Sequence, residues 1–251
     1  MIYRGSIEAG YASIARFMAA HPSPWGWNPT QYCGLPTQFT YLPVIPYASA
    51  ALMWLLPDRE PSHLYRIAVS TPACLGPVTI FFFVLYFTRS HWWALATAGA
   101  YTLFSPSYGL INLINYDRGL VQLPWRVQLL AKYGEGPHNA GLTLMPLAIL
   151  AVWAAGMGRR YWQILLAAIT LAAVTLTNWV AALALAFCCA VAIVTAAGNS
   201  KLGFRSMRVL AAAVLAYLLA CFWLTPRFPP ATASRNSSKS SRNANISNSR
   251  A

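Results

Sequence analysis

Acidic side chains are almost missing from this chain. Five Asp and Glu stand against 18 Lys and Arg in 251 residues, and charged residues of both signs make up only 9% of the whole. A soluble domain of this size needs far more polar surface than that, so the composition excludes a water-soluble fold and leaves the bilayer as the solvent. Cysteine is scarce too. Cys74, Cys188, Cys189 and Cys221 lie inside apolar runs and Cys33 stands alone in a loop, which excludes a disulfide framework and any metal-ligand spacing. The N-terminus has no continuous apolar core, because Arg4, Glu8 and Arg16 interrupt the first twenty positions, and this argues against a signal peptide. No internal repeat is visible.

What is present is apolar: 57% of the residues are hydrophobic. They fall into runs at about 40–57, 67–87, 92–114, 141–157, 161–178, 180–197 and 209–224. Crossing the hydrocarbon core takes about 17 to 25 residues, so these runs predict six or seven crossings. The fold class is therefore all-α, a polytopic transmembrane helical bundle. The run from Tyr161 to Thr195 is too long for one helix, and Thr177-Asn178-Trp179 divides it into a hairpin. Basic clusters flank that hairpin, Arg159-Arg160 before it and Lys201, Arg205 and Arg208 after it. Basic residues grouped between apolar runs suit anionic lipid headgroups, not nucleic acid, and the positive-inside rule places both clusters in the cytoplasm. Counting back from them through three crossings puts the N-terminal loop inside as well, unless an early segment is re-entrant or too short to cross. Pro43, Pro46, Pro72, Gly76 and Pro77 supply such breaks.

Three regions follow: residues 1–39, an amphipathic helix and Trp/Pro-rich loop; residues 40–228, the membrane domain; and residues 229–251, a basic Ser/Asn-rich tail. In the first, Ile7, Tyr11, Ile14, Ala15 and Met18 recur at helical spacing, with Ser6 placed to cap and Pro22 to stop. Such a helix lies in the membrane interface or packs on the rest of the protein. The loop after it carries Trp25, Trp27 and Tyr32 among prolines, a composition suited to the headgroup layer. A second polar stretch, residues 115–140, holds Asp117, Arg118, Arg126, Lys132, Glu135 and His138. Asp117-Arg118 reads as a substrate-facing pair or a solvated helix end, and His138 as a phosphate contact or a solvated side chain. Tyr133 to Asn139 is expected to form a turn. The tail has no acid and no aromatic and is expected to be disordered; its two Asn-x-Ser sequences match a glycosylation acceptor by composition alone.

Motif order carries a resemblance. Glu8 and Tyr11, then Trp27-Asn28-Pro29, Gly34-Leu35-Pro36 and Tyr41-Leu42-Pro43, are followed by His138-Asn139, Leu144-Met145-Pro146-Leu147, Leu176-Thr177-Asn178 and Phe222-Trp223-Leu224-Thr225-Pro226. Over roughly residues 5–228 this order resembles bacterial GT-C-like membrane proteins, in particular the integral membrane family labelled 6-pyruvoyl-tetrahydropterin synthase-related. The resemblance implies a multi-pass protein of the bacterial inner membrane that transfers a sugar from a polyprenyl-phosphate donor at the outer face. It implies for Glu8 the role of general base, or partner of a divalent metal ion. Arg16, Trp27, Asn28, Tyr41, Asp117, Arg118 and His138 would line the substrate site, with Arg16, Arg118 or His138 facing the phosphate. The family has Asp at the catalytic position and a transmembrane helix before it, whereas here the acid is Glu with seven residues ahead of it. A shortened, inactive member is therefore the competing expectation. A transporter or flippase component is a weaker one, since the spans hold almost no charge.

Overall fold

The computed structural model describes residues 6–30, 33–104, 110–114, 124–195 and 202–224. Asp117, Arg118 and the tail after Leu224 lie outside the described residues. The protein is mostly helical. In chain order the elements are α1 (Ser6–Ala20), β1 (Trp27–Asn28), β2 (Leu35–Pro36), α2 (Thr37–Thr40), α3 (Val44–Leu55), α4 (Pro61–Thr88), α5 (His91–Leu103), α6 (Trp125–Ala131), α7 (Gly136–Met157), α8 (Tyr161–Thr175), α9 (Trp179–Thr195) and α10 (Leu202–Leu224). Among the described residues, three helices are long and apolar enough to cross a membrane: α4, α7 and residues 203–224 of α10. The apolar helices α3, α8 and α9 are shorter. At about 1.5 Å per residue, the 12 residues of α3 reach about 18 Å and fall short of a ~30 Å core.

Helix directions follow from which residues touch. A Cβ on Gly136 would meet Val69, Thr143 Oγ1 donates to the carbonyl of Pro72 at 2.9 Å, and Phe87 lies 5.6 Å from Trp153. Helices α4 and α7 therefore run parallel. At the other end of α7, Arg208 of α10 donates from Nε to the Ala155 carbonyl at 2.7 Å and from Nη2 to the Arg160 carbonyl at 2.8 Å. Helix α10 starts there and ends where Trp223 Nε1 donates to the Tyr41 carbonyl at 3.1 Å. The turn between α8 and α9 lies near the start of α7, because a Cβ on Gly141 would collide with Asn178 and Ala181. Small residues on the facing surfaces (Ala151, Ala155, Ala167, Ala168, Ala212, Ala216) are buried and let these helices approach closely.

The expected hairpin is present, with Asn178 Oδ1 accepting from the Ala181 N–H at 3.0 Å and so capping α9. Helix α1 is described from Ser6 onward, at the edge of the described residues. It packs against α3 and α4 rather than lying apart, burying Ile14, Ala15 and Met18. The turn expected over Tyr133 to Asn139 is shorter than the sequence suggests. Gly134 takes a positive φ of 72°, and α7 then begins at Gly136 with Pro137 in its first turn. Proline costs nothing there because that N–H has no partner within the helix.

Candidate functional site at the carboxylate end of the bundle

Three phenol rings meet where α1, the Tyr41 segment and α4 converge. Tyr11 and Tyr41 have ring centroids 4.6 Å apart and tilted, and Tyr11 stacks on Tyr65 at 6.3 Å. Beside them Arg66 Nε donates to Glu8 Oε1 at 2.5 Å, joining α1 to α4 across 58 residues of chain. Glu8 is buried for an acid, at 9% exposure. Helix periodicity explains this: positions 8, 11, 15 and 18 share the face of α1 that turns inward.

The floor of the site is tight. A Cβ on Gly134 would come within 2.9 Å of both the Glu8 backbone nitrogen and its Cβ, so only glycine, already in the left-handed region, fits there. Burial first, then a hydrogen bond with Tyr41, then the charges of Tyr41 and Glu135, push the Tyr11 hydroxyl well above the ordinary phenol range. Tyr41 is also raised, chiefly by burial. Both phenols stay neutral at physiological pH and act as hydrogen-bonding groups. The Tyr65 hydroxyl is buried with no hydrogen-bond partner.

Three of the sequence motifs are brought together here. The Asn178 amide donates to the Tyr41 hydroxyl at 3.5 Å, Val44 N–H donates to the Leu176 carbonyl at 3.2 Å, and Trp223 holds the Tyr41 carbonyl. Thus Tyr41-Leu42-Pro43 is clasped by Leu176-Thr177-Asn178 and by the end of α10.

Arg16, Trp27 and Asn28 do not enter this cluster. Arg16 is exposed on α1. Trp27, 60% exposed, covers Gly34 in the β1–β2 hairpin. Asn28 is fully buried, but its Oδ1 is taken by the Thr30 N–H and hydroxyl, which makes it a turn former. His138 is half-buried in the first turn of α7. Among the described residues, no group of three His, Cys, Asp or Glu side chains is placed to hold a metal ion.

Sequence reasoning missed Arg66, Tyr65 and Gly134 as members of the site and named Glu135 only as one of the loop acids. The Tyr65-Arg66 pair at the mouth of an apolar run was the available signal.

The described acids gather at one end of the bundle, where Arg59, Arg66 and Lys132 lie as well. Glu8, Asp58, Glu60 and Glu135, the four described acids, all lie at the end where α4 and α7 begin. At the opposite end are Arg89, Arg159, Arg160, Arg205 and Arg208, with no acid among the described residues there.

Comparison of the chain with protein-family models, with curated proteins and with solved structures finds no match in any of the three.

Proposed function

We propose that this is a multi-pass protein of the bacterial inner membrane that transfers a sugar from a polyprenyl-phosphate donor, using the Glu8 cluster on the outer face. The orientation rests on the clusters Arg159-Arg160 and Arg205 with Arg208 at the two ends of the α8–α9 hairpin, taken as cytoplasmic, which turns the end carrying Glu8 outward. On this reading α4, α5, α7, α8, α9 and α10 are six crossings. Helix α3 is taken as the early segment that does not cross, which puts the N-terminal loop on the outer side and fits the loop count.

In the reaction the acceptor's hydroxyl oxygen attacks the anomeric carbon of the donor sugar. Its proton passes to Glu8, and the bond from the anomeric carbon to the phosphate oxygen breaks, the phosphate leaving with the electron pair. Arg66 holds the Glu8 carboxylate in place, while the neutral phenols of Tyr11 and Tyr41 are suited to hydrogen-bond sugar hydroxyls. The observation that carries this reading is the buried Glu8 in contact with Arg66 beside three tyrosines. Glu8→Gln in the full chain should abolish transfer from a polyprenyl-phosphate sugar and leave membrane insertion intact. Unchanged transfer would remove Glu8 from the chemistry.

A second reading rests on the same ion pair. Because Arg66 occupies one carboxylate oxygen of Glu8 and Gly134 abuts its backbone, the pair also serves as a clamp in a non-catalytic membrane protein. A Glu8→Gln protein that melts at lower temperature, in a chain with no transfer activity to lose, would favour that reading.

A further inference from the structure

About ten residues' length from the Glu8 cluster, α4 is interrupted. Pro77 has no N–H, so the carbonyl of Ala73, four residues before it, loses its helical partner. The guanidinium of Arg126, carried on α6, fills the gap: Nη1 donates to the Ala73 carbonyl at 3.2 Å. Gly76 makes room for it, since a Cβ there would lie 2.6 Å from that nitrogen. The guanidinium carbon lies 4.6 Å from the centre of the Tyr101 ring, a cation–π contact with α5.

This accounts for one edge of the guanidinium only. Arg126 Nε is buried with no hydrogen-bond partner, and the ion pairs among the described residues are Glu8–Arg66 and Glu60–His63. A positive charge on the wall of a membrane helix without a counter-charge is expensive. Asn139 is the neighbouring group. Its amide nitrogen donates to the Arg126 carbonyl at 3.1 Å, while its Oδ1, on a side chain 1% exposed, is also without a partner. One cationic donor and one neutral acceptor, on two residues already joined by a hydrogen bond, are therefore left without partners.

We propose that Arg126 and Asn139 form a binding site for a phosphate ester that carries a free hydroxyl. The phosphate oxygen takes the unpartnered Nε edge of the guanidinium, whose planar fork matches it, and the hydroxyl donates to Asn139 Oδ1. The bilayer supplies this chemistry as the headgroup of an anionic phospholipid such as phosphatidylglycerol; soluble phosphate is the other source. The site is independent of Glu8 and of the sugar-transfer reading.

The test is thermal unfolding of the purified full chain in neutral detergent, with short-chain phosphatidylglycerol, short-chain phosphatidylcholine or inorganic phosphate added. Phosphatidylglycerol should raise the Tm saturably and phosphatidylcholine should not. A rise with inorganic phosphate equal to that with phosphatidylglycerol would identify the soluble ion as the ligand. Arg126→Lys keeps the charge but loses the fork, and should weaken the response about tenfold; Arg126→Gln should eliminate it. If Arg126→Gln does not fold, the lysine variant decides. The proposal is overturned by no response to either phosphate source, by equal responses to the two lipids, or by a lysine variant that responds as the wild type does.

Discussion

The two ends of the bundle solve the same problem, orphaned polar groups at helix termini, with opposite materials. At the arginine end, Arg208 reaches two carbonyls at the end of α7 and the start of α8, and its positive charge suits the negative end of the α7 dipole. No carboxylate takes part. The other end uses mixed charge and aromatic rings: Glu8 with Arg66, Tyr11 against Tyr41, and Asn178 capping α9. The difference teaches that one end is built as a simple fastening and the other as a polar cluster with capacity to spare, since the Tyr65 hydroxyl still lacks a partner.

The sharpest way to break this comparison is by compartment. Reporters fused at Gly158 and at Asp58 should read opposite sides of the membrane, Gly158 cytoplasmic and Asp58 outside. The same side for both would mean that the acid-bearing end and the arginine end do not face opposite sides of the bilayer.

Removing the key arginine at each end comes next. Arg66→Ala strands the buried Glu8 carboxylate and should destabilise by about 3 kcal/mol, whereas Arg208→Ala strands two carbonyls and should destabilise by about 2 kcal/mol. Denaturant unfolding in detergent measures both. A double variant Glu8→Gln/Arg66→Gln should recover part of the first loss, because neither charge is then left alone.

Smaller again is the effect of pH. The raised Tyr11 and Tyr41 hydroxyls stay protonated in the fold, while an unfolded tyrosine titrates near 10.0. Their contribution is fully present below that pH and is lost as pH rises above it, so stability should hold through neutrality and fall in alkaline buffer. Tyr11→Phe should flatten the fall. The smallest change expected is Tyr65→Phe, which deletes a buried hydroxyl without a partner and should be neutral or slightly stabilising by thermal melt.

Much of the helical layout was legible in the sequence. The apolar runs correspond to α3, α4, α5, α7, α8, α9 and α10, and the polar turn at Thr177-Asn178 divides α8 from α9 as its composition requires. The basic clusters around that hairpin do lie at one end, joined by Arg208 bonding to Arg160. The site was legible only in part. Glu8 and Tyr41 belong to the polar cluster, but Arg16, Trp27 and Asn28 do not join it: Arg16 and Trp27 are exposed, and the Asn28 Oδ1 is held by a local turn. Asn28 shows why: a side chain that bonds to residue 30 leaves the same trace in sequence as one that faces a ligand.

By itself the sequence determined the solvent and the local elements. Scarce charge demands a membrane, and apolar length and polar turns set helices and their ends, because these depend on residues close together in the chain. Only the tertiary structure decided that α3 sits beside α1, that Glu8 meets Arg66, and that Tyr41 lies between Asn178 and Trp223. Those partners are 58, 137 and 182 residues apart. Contacts of that range come from how whole helices pack, and local periodicity carries no record of them.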